Sequence, residues 1–172
     1  MAVDAASSPE AGDTPLAATI ATIAVAGLVV GTLDITDAFL FLTHPGFGPF
    51  RLAQFIASGV LGPASFQGGW PTAVLGMVFH FSIATTAAAV YVIAAGRWRA
   101  LAQMPAVWGP LFGLVVFAVM HYGVVPLSAA PRSSTTPGVL ANLIFAHVCC
   151  VGLPIAFITN RSYAMAARAG PG

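Results

Sequence analysis

The sequence has no lysine and few charged residues of either sign. Its 172 residues carry six arginines and five acidic residues, so charged residues are 6% of the chain and the net charge is +1. Soluble domains average roughly 25% charged residues, and the composition therefore excludes an ordinary soluble domain. Because a net charge this small provides no basic surface, we expect no nucleic-acid partner.

Cysteine and N-terminal basic residues are scarce too. Cys149 and Cys150 are adjacent, so they cannot join distant segments, and no C-x-x-C metal motif is present. Their simplest interpretation is a pair of small buried hydrophobic side chains. A secretory signal needs a basic region before its apolar stretch, and residues 1–16 contain no arginine. We therefore expect residues 1–15 to be a disordered tail, followed by a retained membrane span.

Apolar residues are abundant instead. Hydrophobic residues are 58% of the chain, and the mean hydropathy is +0.90. A helix that crosses about 30 Å of hydrocarbon needs about 20 mostly apolar residues. Four segments meet this condition, approximately residues 16–42, 72–95, 107–127 and 139–159. The sequence therefore predicts an all-α fold, a four-helix bundle embedded in a lipid bilayer, over residues 16–160.

The segment between the first two spans differs from the spans themselves. Residues 50–61 mix apolar and small polar side chains at roughly helical spacing. A helix of that length is too short to cross a bilayer. We predict a short helix that lies at the interface or re-enters the bundle.

The arginines predict an orientation. With four spans, both termini and the middle loop lie on one side, and that side has more arginines than the other. By the positive-inside rule both termini are cytoplasmic, and residues 161–172 form a cytoplasmic tail. Arginine without lysine, together with abundant alanine, is typical of a bacterial protein, so we expect the bacterial inner membrane. The arginines are Arg97, Arg99, Arg161 and Arg168 on the terminal side, and Arg51 and Arg132 on the other.

Two G-x-x-x-G patterns predict where helices approach closely. Gly27 and Gly31 lie on one face of the first span, and Gly109 and Gly113 lie on one face of the third. Spans in lipid associate through close packing of small residues. We expect these glycines to pack helices within one bundle, with homodimerisation as the alternative.

Two prolines late in spans predict local distortion of their helices. Pro126 and Pro154 each remove one intrahelical hydrogen bond and free the carbonyl four residues earlier, at Tyr122 and Cys150. A freed carbonyl needs a partner inside the bundle or in a water-filled cavity. We expect a kink near each proline.

Five ionisable residues fall inside the spans. A charged side chain at the centre of a bilayer costs about 2.5–3.5 kcal/mol on insertion scales, so these groups should face the bundle interior. Counting about 1.5 Å per residue from the span ends places all five in the half of the membrane near the first loop. We predict one shared centre, formed by Asp34, Asp37, His80, His121 and His147.

Such a centre has three interpretations. It could be structural, because interhelical polar contacts contribute about 0.6 kcal/mol each. It could hold zinc or another transition metal, with the three histidines and the aspartates as ligands, or, less favoured, a haem between two histidines. It could handle protons, because histidine titrates near neutral pH. A structural centre would suit an accessory subunit of a larger membrane complex. A homo-oligomer is the other assembly we consider, and nothing in the sequence indicates an enzyme.

The histidines also carry a family resemblance. The chain resembles the YagU-like small bacterial inner-membrane proteins in spans two to four, through His80, the pattern His121-x4-Pro126-Leu127-x3-Pro131, and His147 in Ala-His-Val, followed by Arg161. The match covers about half of the chain, and the first span with Asp34 and Asp37 departs from it. The resemblance implies a four-span fold and importance for the three histidines, and it implies no reaction.

Overall fold

The computed structural model describes residues 16–132 and 135–169. The chain is all-helical, with 89% helix and no strand in these ranges. This confirms the predicted all-α class. The predicted tail at residues 1–15 lies outside the described residues. In chain order the α-helices are α1 (Leu16–Phe41), α2 (Pro49–Leu61), α3 (Gly69–Arg97), α4 (Arg99–Gln103), α5 (Pro105–Ala118), α6 (Val125–Leu127), α7 (Pro137–Phe145) and α8 (Leu153–Ala169).

Four helical segments are long and apolar enough to cross a membrane, which indicates a multi-pass membrane protein. Their outward surfaces carry large exposed apolar side chains such as Leu28, Leu40, Val90 and Val115. Lipid is the solvent that such surfaces favour. The segments are span one (Leu16–Phe41), span two (Gly69–Arg97), span three (Pro105–Leu127) and span four (Pro137–Arg168).

These bounds agree with the predicted spans to within one helical turn at every end but one. The difference is larger at the C-terminus, where α8 continues to Ala169 beyond the predicted end at residue 159. Residues 161–169 therefore continue the last helix. Span four begins with Pro137 directly after Thr136, whose side chain accepts a hydrogen bond from the Val139 backbone N–H at 3.3 Å. This is an N-cap, which satisfies a donor that the helix itself leaves free.

Spans one and two meet through glycines. A Cβ atom added at Gly27 would lie 2.8 Å from the Thr85 Cα atom, and one added at Gly31 would lie 2.6 Å from the Phe81 ring. Contacts this short leave no room for a side chain on span one. The helix backbones approach at these positions because glycine has no Cβ atom.

Spans three and four meet in the same way. A Cβ atom at Gly113 would overlap the His147 carbonyl oxygen, and one at Gly152 would overlap the Gly109 carbonyl oxygen. The second contact is therefore backbone against backbone, with Gly109 facing Gly152. The glycines of the third span face a neighbouring span of the same chain.

The half of the bundle nearer the chain termini is tightly packed, and we call it the terminal half. It contains a buried core of small and apolar side chains, and hydrogen bonds join its helix ends. Thr22 and Ser162 hydroxyls lie 2.7 Å apart, and the Tyr91 hydroxyl donates to the Leu101 carbonyl at 2.9 Å. The core residues are Ala26, Val30, Ala88, Tyr91, Val151, Ile155 and Ala156.

The opposite half, which we call the loop half, includes α2. This helix ends at Gly62, whose positive φ of 63° favours glycine. A Cβ atom at Gly76 of α3 would overlap the Ala53 carbonyl of α2, and the Gly59 carbonyl accepts from the Ala129 backbone N–H at 2.9 Å. α2 covers Pro49–Leu61 and packs closely along the first turns of span two, and its placement at the membrane interface stays a prediction.

Two π-helical segments interrupt the last two spans. They cover Val119–Val124 in span three and Ala146–Gly152 in span four. Each ends two residues before a proline, Pro126 or Pro154. The local distortion predicted at these prolines is therefore a widening of the helix, and such π segments occur frequently at functional sites.

Candidate functional site

Three of the five ionisable side chains line one cavity in the loop half. Asp34 comes from span one, His80 from span two and His147 from span four, and the cavity has a volume of about 140 Å³. All three side chains are half-buried. The remaining wall is apolar, with Ile56 contributed by α2, and Ile83, Ala84, Ala87, Val116, Met120 and Val151 contributed by the spans.

A hydrogen bond to span one orients His80. Its Nε2 atom lies 2.8 Å from the Gly31 carbonyl oxygen. Because a carbonyl only accepts, Nε2 carries the hydrogen and the neutral ring keeps Nδ1 as its acceptor. Gly31 lies one turn before Asp34, and the Phe81 ring, which contacts His80 edge to face at 5.4 Å, occupies the space beside Gly31.

His147 has the opposite tautomer. Its Nδ1 atom lies 2.8 Å from the Leu143 carbonyl oxygen in the preceding turn, so Nδ1 carries the hydrogen. In the neutral ring Nε2 is therefore the proton acceptor. His147 is the second residue of the Ala146–Gly152 π segment. The helix is therefore widened at the residue whose imidazole lines the cavity.

Asp34 completes the cavity wall. Its carboxyl group shares the cavity with the imidazoles of His147 and His80. One acidic group and two imidazoles, each with one ring nitrogen that donates to a backbone carbonyl, therefore share a space inside the bundle. A change of charge on one of the three groups acts on the other two across this space.

Asp37 is held differently. Its Oδ2 atom accepts a hydrogen bond of 2.8 Å from the Asn142 side-chain amide, which joins span one to span four. Sequence reasoning did not single out Asn142. The available signal was an amide side chain in an apolar span, which in lipid needs a polar partner on another helix.

His121 lies apart from the cavity wall. Its ring stacks on Phe117 at 5.2 Å and meets Tyr122 edge to face at 4.8 Å. The Phe117 ring also contacts His147, at 5.8 Å, and so lies between the two histidines. This aromatic contact connects His121 to a residue of the cavity wall.

The predicted metal centre has no match in the described geometry. Within residues 16–132 and 135–169, no group of three or more His, Cys, Asp or Glu side chains is arranged to hold a metal ion. The five predicted ligands separate into a cavity group of three, an Asp37–Asn142 pair and His121. The zinc and haem hypotheses remain predictions from the sequence.

The size of the cavity limits its chemistry. A volume of about 140 Å³ exceeds the ~10–15 Å³ that one water needs, while pockets for organic ligands begin near 300 Å³. The cavity therefore suits water and protons better than a haem-sized group. Water beside a carboxylate and two imidazoles is a common setting for proton transfer inside membranes.

No family model matches the chain, and no curated protein or solved structure was found to be similar to it. The resemblance to YagU-like proteins stays a prediction that depends on the residues of spans two to four.

Proposed function

We propose that this is a bacterial inner-membrane protein, with both termini in the cytoplasm, that handles protons at an intramembrane site. The site consists of Asp34, His80 and His147. The observation that carries the proposal is that three spans each contribute one titratable side chain to the same small cavity.

The ring tautomers support this role. His80 and His147 each use one ring nitrogen to bind a backbone carbonyl and keep the other as a proton acceptor. A histidine fixed in this way can gain and lose a proton without losing its orientation. Proton handling inside a membrane requires groups that titrate near neutrality and are sheltered from lipid, and histidine with a neighbouring carboxylate meets that requirement.

The test is infrared difference spectroscopy of the protein in lipid as the pH is changed. Acidification protonates all carboxyl groups of the chain, so we expect several carboxylic acid C=O bands, and Asp34→Asn should remove one of them because that carboxyl group is gone. Asp37→Asn is the matched control, since it changes an aspartate one turn away that does not line the cavity. An unchanged set of C=O bands in Asp34→Asn, or loss of the same band in Asp37→Asn, contradicts the proposal.

The same samples test the competing hypotheses. Stoichiometric zinc in the purified protein that His80→Ala or His147→Ala abolishes would support a metal site instead. A Soret band would indicate haem. Partner proteins that co-purify, together with a cavity that binds no proton, would support an accessory subunit of a larger membrane complex.

A further inference from the structure

Two polar atoms are buried at the junction of α2 and α3 without a partner from the described protein. They are the Gln54 side-chain oxygen, Oε1, and the Ser65 hydroxyl oxygen, Oγ. Gln54 is 1% exposed and Ser65 is fully buried. A buried polar group with no hydrogen bond costs about 1–3 kcal/mol, so evolution rarely leaves two in one place.

The orientation of Gln54 follows from its other bonds. Its Nε2 atom donates to the Gly69 carbonyl and to the Thr72 hydroxyl, both at 3.2 Å. Since the carbonyl of Gly69 can only accept, the amide nitrogen must be on that side. The unpartnered Oε1 atom is therefore a real acceptor that needs a donor.

The backbone of Ser65 is linked to Gln54 through the Thr72 hydroxyl. Thr72 Oγ1 accepts from the Gln54 amide nitrogen at 3.2 Å and donates to the Ser65 carbonyl oxygen at 2.7 Å. Ser65 belongs to the 3-10 turn Gly62–Gln67 that joins α2 to α3. The acceptor on Gln54 and the hydroxyl on Ser65 thus belong to two residues connected through Thr72.

The charges around this junction disfavour a cation. Arg51 donates to the carbonyl of Phe66, the residue after Ser65, at 3.2 Å. The N-terminal end of α3, with its partial positive charge, begins at Gly69, and neither α2 nor α3 has an acidic residue in its first turn. An uncompensated buried charge would be costly here, so the ligand should be neutral.

We propose that one water molecule binds between Gln54 and Ser65, and that it fixes α2 against span two. The water donates a hydrogen bond to Gln54 Oε1 and accepts one from the Ser65 hydroxyl, which satisfies both groups. The water would lie between α2, which contains Gln54, and the turn after α2, which contains Ser65. In the same helix, the Ala53 carbonyl contacts Gly76 and Ile56 lines the cavity. The water thereby sets the position of one cavity wall.

A double-mutant cycle on thermal unfolding in detergent tests the proposal. Gln54→Leu and Ser65→Ala should each lower the melting temperature by several degrees. The double variant should lose less than the sum of the two single losses, because the first change already removes the bridging water. As a control, Gln54→Leu combined with Thr159→Val should show additive losses, since Thr159 is a fully buried hydroxyl on distant span four. Additive losses in the Gln54 and Ser65 pair would overturn the proposal.

Two measurements on the unaltered protein keep the proposal testable if a variant fails to fold. The melting temperature should be the same in sodium, potassium and choline chloride at equal concentration. A loss specific to one cation would show that an ion, not water, occupies the site. An experimental structure at a resolution that orders buried waters should contain density between Gln54 Oε1 and Ser65 Oγ, and its absence would also overturn the proposal.

Discussion

The two halves of the bundle differ in how tightly their helices pack and in which polar side chains they contain. In the terminal half, small residues bring helices into backbone contact, and a buried core forms around Tyr91 and Ile155. In the loop half, the last two spans widen into π segments, α2 inserts beside span two, and a cavity of about 140 Å³ remains. The aspartates and histidines of the spans, Asp34, Asp37, His80, His121 and His147, are in the loop half.

This difference indicates how a small chain can keep polar groups inside a membrane. The terminal half supplies stability through packing, which in lipid is the main force between helices. The loop half can then tolerate a water-accessible space and three titratable groups. We therefore expect substitutions in the terminal half to affect stability, and substitutions at the cavity to affect proton binding.

The largest stability effect is expected for Gly152→Ala. A Cβ atom there would overlap the Gly109 carbonyl and lie 2.7 Å from the Gly113 nitrogen, so spans three and four must separate. Overpacking of this kind costs about 1–3 kcal/mol. The matched control is Gly123→Ala in the other π segment, where an added Cβ atom meets nothing within 4 Å. Its free energy of unfolding should be unchanged or slightly higher, and equal losses at both positions would contradict the comparison.

A smaller loss is expected for Tyr91→Phe. The Tyr91 hydroxyl is buried and donates to the Leu101 carbonyl at 2.9 Å, tying span two to the segment that follows it. Removing this bond should lower the free energy of unfolding by about 1 kcal/mol. Tyr122→Phe provides the control in the loop half, because that ring is 68% exposed, and we expect its stability to match the unaltered protein. A larger loss of stability in Tyr122→Phe than in Tyr91→Phe would contradict the assignment of stability to the terminal half.

The Asp37–Asn142 bond should contribute less. Interhelical hydrogen bonds in membranes average about 0.6 kcal/mol, and a double-mutant cycle with Asp37→Ala and Asn142→Ala should give a coupling energy of that order. The same cycle with Asp34→Ala and Asn142→Ala should give a coupling near zero, because Asp34 faces the cavity. A coupling energy between Asn142 and Asp34 instead would show that Asn142 belongs to the cavity site.

The smallest effect is expected for His121→Phe. A phenyl ring can keep the stack on Phe117, so neither stability nor the carboxylic acid band of Asp34 should change. The measurement is the infrared titration used for Asp34→Asn. A band that disappears in this variant would make His121 part of the proton site and would join the aromatic contact to the cavity.

The sequence predicted the helices well because their signal is local. Each span is a long apolar run, and length and hydropathy alone define it. The distorted regions at Pro126 and Pro154 were also predictable, since a proline cannot donate its backbone hydrogen bond. The π form of the distortion was not predictable, because it depends on which groups of the neighbouring spans contact the freed carbonyls.

The arrangement of the site was harder to predict. Depth along each helix follows from counting residues, but rotation about the helix axis depends on which glycines meet, as Gly31 meets Phe81. That rotation gives Asp34, His80 and His147 a common cavity and turns Asp37 toward Asn142. The buried junction at Gln54 also escaped prediction, because its partners come from a turn with no regular spacing.

The proposed site depends most directly on Asp34 sharing one cavity with the imidazoles of His80 and His147. Nitrogen NMR of labelled histidines in lipid bilayers, recorded as a pH titration, tests this proximity. Asp34→Asn should shift the titration of His80 and of His147 and leave that of His121 unchanged. Titrations of His80 and His147 that do not move, or an equal shift at all three histidines, would contradict the existence of a shared site.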